Sequence, residues 1–377
     1  MSVRRRSWVT KAGQRRSAWL VDYADRGARH VTTFERKRDA DAYDAEVRTQ
    51  VRAGTHTPVS ASPTMAQAAQ DWLTAVSLRG RERATLKGYR EHVELHIVPV
   101  LGTIRLAALT APKLVAFCEA LQTRKSRALA RKVLTSLKSI LRDAQRRGTV
   151  AQNVATAVSI EPDRRRKQLR IGTDIPTPDE VRRILAAAVP RWRPLLVTAV
   201  FSGLRASELR GLRWDDVDLR RGELHVRQRA DRYNAIGKPK SRAGTRMLPI
   251  GPMVVNTLRQ WKLVRPASEL VFGTSSGRPM GHTNVVRSAL LPAQVAAGVV
   301  RTNGQAKYTG LHALRHFYAS WCINRKTDGG LELPAKVVQS RLGHASIVMT
   351  LDTYGHLFPS NDDGAELAAA ERGLFGL

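Results

Sequence analysis

The chain has 377 residues, 42% of them hydrophobic, so it is long enough for more than one domain and apolar enough for ordinary buried cores. Its 63 Lys and Arg residues outnumber 32 Asp and Glu residues, and the net charge of +31 favours a polyanionic partner, nucleic acid ahead of an anionic membrane surface. No apolar run approaches the roughly 20 residues of a spanning helix, which argues against a membrane protein.

The cysteine pattern and the basic start of the chain indicate the compartment. Cys118 and Cys322 lie far apart, which excludes a disulfide framework and a CxxC metal knuckle. No apolar segment of a signal peptide follows residues 1–6. We therefore expect a cytoplasmic protein in a reducing environment, without structural zinc and without a cofactor. The sequence also contains no GxxxxGK[ST] phosphate loop.

The first block, residues 1–58, predicts a small sheet followed by a helix. Two runs rich in aromatic and β-branched residues, 19–23 and 30–34, flank a turn signal at 25–27 and predict a hairpin. Asp39 is the predicted N-cap of the helix, whose apolar residues recur at helical spacing. The basic residues near the start of the chain either belong to this unit or form a disordered tail.

The second block, residues 64–160, predicts a helical bundle. A joint rich in Pro, Gly and Ser precedes it at 53–63, and a second joint at 161–167 follows it. Thr64 is the predicted cap of the first of four amphipathic helices, which together can bury a compact core. The outer faces of these helices are basic, which favours a groove lining for phosphates over merely solvated faces.

The third block, residues 171–377, predicts a mixed α/β domain. It opens with a capping box at 177–180. Strand-like segments at 223–228 and 246–250 follow, and Pro249 places the second one at a sheet edge. Beyond them the pattern is mainly helical. The expected fold class is therefore multidomain, mainly α with small β-sheets: a small sheet plus helix, a helical bundle and a mixed α/β domain.

Five short segments of the third block occur in a characteristic order. They are FSGLRASEL at 201–209, KPK at 238–240, HALRH at 312–316, LGH at 342–344 and DTYGH at 352–356. Together they resemble the tyrosine recombinases, the phage-type integrases, from about residue 64 onward. The resemblance implies a core-binding (SAM-like) domain at 64–160, a catalytic domain with a C-terminal tail at 171–377 and, more loosely, an arm-type DNA-binding domain at 1–58.

The chemistry of phosphodiester cleavage fits these segments. Attack on the phosphate concentrates negative charge on its nonbridging oxygens, and the guanidinium groups of Arg205 and Arg315 suit a clamp for them. His312 lies three residues before Arg315 on one helical face, where it can accept or relay a phenol proton or hydrogen-bond the phosphate. We expect His316 to point elsewhere and to be a structural histidine.

Tyr354 is the predicted nucleophile, which would form a 3′-phosphotyrosine ester and release a 5′-hydroxyl. A phenol with a pKa near 10 is only about one part in a thousand ionised at neutral pH, so it needs help from its neighbours. Lys240 is the predicted general acid for the leaving oxygen, with Lys238 as the competitor.

Two further histidines complete the pattern. His344 follows a predicted helix end, where it is free to donate to the phosphate, whereas His356 is expected to be structural. A metal site built from histidines is a weak alternative, because no carboxylate or thiol pattern accompanies them and positive side chains can replace a metal in stabilising the transition state.

The resemblance implies a site-specific DNA recombinase that integrates or excises a mobile element or prophage. Its partners would be double-stranded DNA at core-type and arm-type sites, a homotetramer on synapsed DNA, and an excisionase or DNA-bending host protein, with no membrane. The protein would be bacterial or phage-encoded and associated with the nucleoid. The alternatives are a type IB topoisomerase-like activity and a DNA-binding regulator without catalysis. The intact catalytic set argues against the regulator; it consists of Arg205, Lys240, His312, Arg315, His344 and Tyr354.

Two segments go beyond the family pattern. Residues 324–333 are longer than the usual turn, and they either contact DNA or form a flexible loop. The tail, residues 364–377, has apolar residues at helical spacing. The resemblance implies that it docks on a neighbouring protomer, with an intramolecular cap as the alternative.

Overall fold

The computed structural model gives a mainly helical chain with small antiparallel sheets, which confirms the predicted fold class. It divides into two compact units, Met1–Arg166 and Lys167–Leu377. In the parts of the chain that the structure describes, no helix has the length and apolarity needed to cross a bilayer. The described residues are 2–25, 27–54, 56–161, 168–265, 268–359 and 363–376. The second predicted joint therefore lies almost wholly outside the described residues.

The first unit begins with a three-stranded antiparallel sheet of order β1-β2-β3. The strands are β1 (Ser2–Val9), β2 (Arg15–Asp25) and β3 (Ala28–Phe34). The predicted hairpin is confirmed, because Asp25 pairs with Ala28 across the turn. The basic residues 4–6 pair in register with residues 18–20, so the alternative of a disordered basic tail is wrong.

Helix α1 (Lys37–Arg52) packs on this sheet through a small core that includes Val21, Tyr23 and Val47. Asp39 is not the N-cap that the sequence predicted. The N-cap is Arg36, three residues earlier, so the helix begins at Lys37 and Asp39 lies in its first turn. A carboxylate is favourable there as well, because it faces the positive end of the helix dipole, so the same residue type fits both positions.

The helical bundle of the first unit has its own core, with Met65, Trp72 and Leu137 among its most buried residues. Thr64 caps the first helix in a capping box with Gln67, as predicted. A π-helical stretch (Val93–Ile97) joins two of the helical segments into one longer helix. The helices are α2 (Met65–Leu78), α3 (Arg83–His92), α4 (Val98–Leu101), α5 (Ala111–Arg124) and α6 (Arg127–Arg146).

The second unit surrounds an almost fully buried helix that runs from Arg193 to Ser202. The predicted capping box is present, because the Thr177 side chain accepts from the Glu180 amide. The helices are α7 (Pro178–Ala187), α8 (Arg193–Ser202), α9 (Ala206–Arg210), α10 (Pro252–Val264), α11 (His282–Val285), α12 (Leu291–Ala296), α13 (His312–Ile323), α14 (Ala335–Leu342), α15 (Ile347–Tyr354) and α16 (Asp363–Phe375).

The second unit also contains short strands, two of which flank the segment with Lys238 and Lys240. They are β4 (Val217–Asp218), β5 (Glu223–Val226), β6 (Arg229–Ala230), β7 (Ile236–Gly237) and β8 (Arg246–Pro249). The two predicted strands pair as β5 and β8, and Pro249 lies on the edge strand of the β4-β5-β8 sheet, as predicted. The small β6-β7 hairpin inside their connection was not predicted.

The segment 324–333 is hydrogen-bonded back onto α13. The amides of Leu331 and Leu333 donate to the carbonyls of Trp321 and Cys322 at 2.9 and 2.8 Å. The Trp321 indole N–H donates to the Gly329 carbonyl at 2.9 Å. These bonds tie the segment to α13 at three points and argue against the flexible-loop alternative.

Candidate active site

The turn between α8 and α9 places Arg205 at the start of a helix. Gly203 ends α8 in the left-handed conformation with φ of +60°, and a Cβ there would lie 2.2 Å from the Tyr318 ring, so no other residue fits. The Arg205 guanidinium donates to Glu208 Oε1 at 2.7 Å and to the Gly343 carbonyl at 3.0 Å. These two bonds aim it toward the turn that carries His344.

Glu208 and Arg246 support Arg205, and the sequence reasoning assigned no role to either. Glu208 is buried and accepts from Arg246 at 2.9 Å on one oxygen and from Arg205 on the other. Burial opposes its ionisation, but the charges of Arg246 and Arg205 hold the pKa of Glu208 below its ordinary value. The signal in the sequence was the spacing from Arg205 to Glu208, which allows an i,i+3 ion pair.

Arg315 is the most buried arginine of the site, with 2% of its surface exposed. It donates to the Gly203 carbonyl at 2.7 Å and to the Leu342 carbonyl at 2.6 Å, so three of its five N–H donors remain for an anion. Burial and the nearby Arg205 lower the pKa of Arg315 to about 10, which leaves it charged at neutral pH. The side chain thus links the ends of α8 and α14.

His344 lies just beyond α14, where the sequence predicted it. Gly343 turns the chain with φ of +62°, and the His344 ring is buried with Nδ1 2.9 Å from Thr350 Oγ1. Its ring is parallel to that of Tyr354, with centroids 6.3 Å apart. Burial, then the charges of Arg315 and Arg205, lower the pKa of His344 to about 4, so the ring is neutral at pH 7.

Tyr354 is the last residue of α15 and is 1% exposed. Burial raises the pKa of its phenol to about 12, while the charges of Arg315 and Arg205 act in the opposite direction. Its hydroxyl lies 2.8 Å from Nδ1 of His316. The structure therefore brings Tyr354, Arg205, Arg315 and His344 into one electrostatic neighbourhood.

The sequence predicted that His316 points away from the site, but in the structure it points into it. It lies one helical turn after His312 on the same face of α13, and the two ring centroids are 4.5 Å apart. Residues four apart are neighbours on a helix, so the expectation misjudged the geometry. The His312 ring is exposed, yet surrounding protein and the charges of Arg315 and Arg205 lower its pKa. His312 thus belongs to the same neighbourhood.

Lys240 is exposed and lies in the loop between β7 and β8. The far end of that loop reaches the His344 turn, because a Cβ on Gly343 would lie 2.9 Å from the Ala243 carbonyl oxygen and 2.8 Å from an Arg246 nitrogen. The fold therefore anchors this loop beside the arginines and leaves Lys240 on its accessible part.

The histidine of the DTYGH segment has a separate setting. His356 Nε2 lies 2.8 Å from the Leu169 carbonyl oxygen, a backbone contact that agrees with the structural role expected for it. Across the described ranges of the chain, no group of three or more His, Cys, Asp or Glu side chains is arranged to hold a metal ion.

Comparison with known proteins decides the family. Residues 176–361 match the phage integrase family, and residues 65–160 match the phage integrase central domain. The tyrosine recombinase XerC of Pseudomonas fluorescens is 30% identical over 246 residues, which cover 63% of this chain and 71% of that protein. The chain belongs to the tyrosine recombinase family. It is accordingly an enzyme that breaks and rejoins DNA strands.

Other recombinases match over a larger share of the chain. A XerC-like tyrosine recombinase of Caldanaerobacter subterraneus is 23% identical over 87% of this chain and 88% of its own length. An integrase of Streptomyces ambofaciens is 27% identical over 77% of this chain and 76% of its own length.

Solved structures of recombinases share the fold. The Tn1549 transposon integrase in complex with transposon right end DNA superimposes with a TM-score of 0.63 and 18% identity, over 81% of this chain and 98% of that chain. A lambda integrase dimer bound to a core site gives a TM-score of 0.59 and 19% identity, over 92% of this chain and 93% of that chain.

Proposed function

We propose that this recombinase is an integrase that cleaves DNA through a 3′-phosphotyrosine bond at Tyr354. The observation that carries the proposal is the setting of that hydroxyl, which is buried and contacts His316 while the charges of Arg315 and Arg205 act on it. A phosphodiester drawn in by the two guanidinium groups would meet the phenol there. Positive charge that favours the phenolate also stabilises the developing charge on the phosphate.

The roles of the other residues follow from their positions. Arg205 and Arg315 clamp the nonbridging oxygens. Each guanidinium has five N–H donors and uses two of them in bonds to the protein, so the others are left for the phosphate. His344 Nδ1 is engaged by Thr350, which leaves Nε2 as the nitrogen for the phosphate. His312, exposed at the edge of the cluster, adds a second imidazole donor. Lys240 protonates the leaving 5′-oxygen from its accessible loop.

The division of labour along the chain is also a proposal. Residues 1–58 would bind arm-type DNA, residues 64–160 core-type DNA, and residues 171–377 would carry catalysis. The outer face of the sheet supports the first assignment, because Arg6 and the exposed Trp8 lie beside Arg16 there, opposite the face that packs on α1. A twisted sheet of this kind can enter a groove of DNA. Footprinting with the full-length protein tests this division.

A homotetramer on synapsed DNA is proposed on the same basis. A lambda integrase tetramer bound to a Holliday junction shares the fold, with a TM-score of 0.58. Helix α16 exposes Leu367, Leu374 and Phe375, a surface suited to docking on a neighbouring protomer rather than to an intramolecular cap. Light scattering of the protein on a paired-site duplex measures the stoichiometry, and a monomer there would contradict the proposal.

We assign the recombinase to a mobile element or prophage, with an excisionase or a DNA-bending host protein setting direction. Its likeness to the Streptomyces ambofaciens integrase and to the Tn1549 integrase supports this assignment. The XerC relatives favour a chromosomal site as the second candidate. The DNA that becomes attached to the protein distinguishes the two.

One experiment tests the chemistry and identifies the site together. Purified protein is incubated with sheared DNA from the genome that encodes it, then denatured and captured, and the attached DNA is sequenced while the modified peptide is found by mass spectrometry. We expect 3′-linked DNA on Tyr354 that maps to the ends of a mobile element. Tyr354→Phe is expected to abolish the adduct, and Tyr308→Phe, another buried tyrosine, is the matched control that keeps it.

Each contrary outcome has a distinct meaning. An adduct that survives Tyr354→Phe, or that forms on another residue, refutes the assigned nucleophile. The absence of any adduct supports a DNA-binding regulator instead. Relaxation of supercoiled DNA without paired sites supports a topoisomerase-like activity.

A further inference from the structure

His316 is the residue of the site that the assigned mechanism does not use. Its Nδ1 is 2.8 Å from the Tyr354 hydroxyl, which is a normal hydrogen-bond length. The aromatic rings of the two residues meet edge to face, with centroids 5.7 Å apart and an interplanar angle of 62°. A histidine in this position contacts the reacting oxygen itself.

The direction of this hydrogen bond follows from acidity. A phenolic O–H is a far stronger acid than the N–H of a neutral imidazole, so Tyr354 donates and His316 accepts at Nδ1. This arrangement requires the tautomer with its proton on Nε2. The protein environment also keeps the ring neutral, since burial, then His312 and Arg315, lower the pKa of His316 to about 4, with Asp174 acting in the opposite direction.

The surroundings of His316 come from three parts of the fold. His312 and Arg315 belong to its own helix α13, Asp174 lies in the segment before α7, and Tyr354 ends α15. The His344 ring lies parallel to that of Tyr354, with centroids 6.3 Å apart. Its Nδ1 contacts Thr350 rather than the phenol. His316 is therefore the imidazole with a ring nitrogen placed against the Tyr354 oxygen.

We propose that His316 is the general base of strand cleavage, which removes the phenol proton of Tyr354 as the phenol attacks. This inference rests on the proposed function. The Tyr354 oxygen forms a bond to phosphorus, the bond from phosphorus to O5′ breaks, and the phenol proton passes to Nδ1 of His316. The O5′ atom receives a proton from Lys240. Rejoining reverses each transfer, so no external reactant is required.

The low basicity of His316 determines when the proton moves. In the resting protein the phenol is a much weaker acid than the protonated imidazole, so the proton stays on Tyr354. As the bond to phosphorus forms, the phenolic oxygen loses its affinity for the proton and the transfer becomes favourable. The approaching phosphate also adds negative charge, which stabilises the imidazolium. His316 therefore acts only when a phosphodiester is in place.

The test measures the single-turnover rate of covalent adduct formation on a nicked duplex that contains the recovered site. His316→Gln keeps an acceptor oxygen but cannot take up a proton, and it is expected to lower the rate by about 10²-fold or more. His225→Gln, a substitution on β5 outside the cluster, is the matched control and is expected to keep the wild-type rate.

Two further measurements separate a base from a merely structural histidine. Added imidazole is expected to rescue His316→Ala in proportion to its unprotonated fraction. A duplex with sulfur in place of the bridging 5′-oxygen has a leaving group that needs no proton, so it is expected to rescue Lys240→Ala and leave His316→Gln slow.

The outcomes keep the two proposals apart. A full rate and an unchanged pH profile in His316→Gln, with Tyr354 still essential, overturn the role of His316 alone. A slow His316→Ala that imidazole does not rescue, while thermal unfolding and DNA affinity match the wild type, also overturns it. An adduct in Tyr354→Phe overturns the proposed function instead.

Discussion

Tyr308 and Tyr354 are both buried tyrosines of the second unit, but the charges around them have opposite sign. The Tyr308 hydroxyl donates to the carboxylate of Glu180 at 2.7 Å, and burial followed by that contact raises its pKa. Tyr354 contacts a neutral histidine, and the charges of Arg315 and Arg205 act to lower its pKa. Burial is common to both, so the neighbouring charge is what distinguishes the structural phenol of Tyr308 from the proposed nucleophile.

A buried glutamate near the start of a helix offers a second comparison between these two parts of the unit. Glu180 and Glu208 each lie three residues after an N-cap and are buried among positive side chains. Glu180 accepts hydrogen bonds from Lys307 at 2.6 Å and from Tyr308. Glu208 instead accepts from Arg205 and Arg246, and so holds Arg205 in place beside the Gly343 turn. A carboxylate at the same position in a helix thus packs against Tyr308 in one case and positions Arg205 in the other.

The largest expected effect in this comparison comes from neutralising Glu208. Glu208→Gln removes the countercharge that aims Arg205, and we expect adduct formation to slow by about 10²-fold, as for a small misplacement of a catalytic group. Glu180→Gln is the matched variant and is expected to keep the rate per folded molecule. Single-turnover rates, normalised to the folded fraction from thermal unfolding, measure both. Equal losses in the two variants would erase the distinction between the pockets.

Of the variants Tyr308→Phe and Tyr354→Phe, we expect the first to lose more stability and the second to lose more activity. Tyr308→Phe removes a bond to a charged acceptor, worth about 1.5 to 3 kcal/mol, whereas Tyr354→Phe removes a bond to a neutral acceptor, worth about 0.5 to 1.5 kcal/mol. The inactive variant should therefore be the more stable one. Urea unfolding gives both free energies, and a larger loss for Tyr354→Phe contradicts this account of its pocket.

The smallest expected effect concerns acid. Burial opposes ionisation of Glu180, but Lys307, Thr177 and Tyr308 hold its pKa below the ordinary value. Its contribution to stability is therefore present above the unfolded pKa of about 4.3 and is lost as the pH falls through the lower folded value. In urea unfolding between pH 6 and 3, Glu180→Gln should show a shallower decline than the wild type. Parallel declines would mean that Glu180 gains nothing from its partners.

Sequence predicted those parts of the molecule that depend on local spacing. The Thr64 and Thr177 caps and the turn before His344 follow from a few neighbouring residues, and the structure has all three. The strand-like segments at 223–228 and 246–250 were also expected, and the structure pairs them as β5 and β8. The division into functional domains and the catalytic roles remain predictions.

The parts that sequence missed depend on contacts between distant segments. Strand β1 is too polar to be recognised alone, and it forms because β2 offers a partner along its length. Arg246 has the appearance of an ordinary strand residue until the fold brings it 2.9 Å from Glu208. His316 was misjudged for a different reason, because its adjacency to Arg315 obscured its one-turn relation to His312.

The close approach at Gly343 has a consequence for engineering. A side chain there would collide with Ala243 and Arg246, so the lysine loop and the histidine turn are fastened together at one point. A designer who wants to vary this loop must therefore keep its attachment to the histidine turn. Residues 243–246 must be kept, because Ala243 and Arg246 make the close contacts with Gly343 that hold any replacement loop in position.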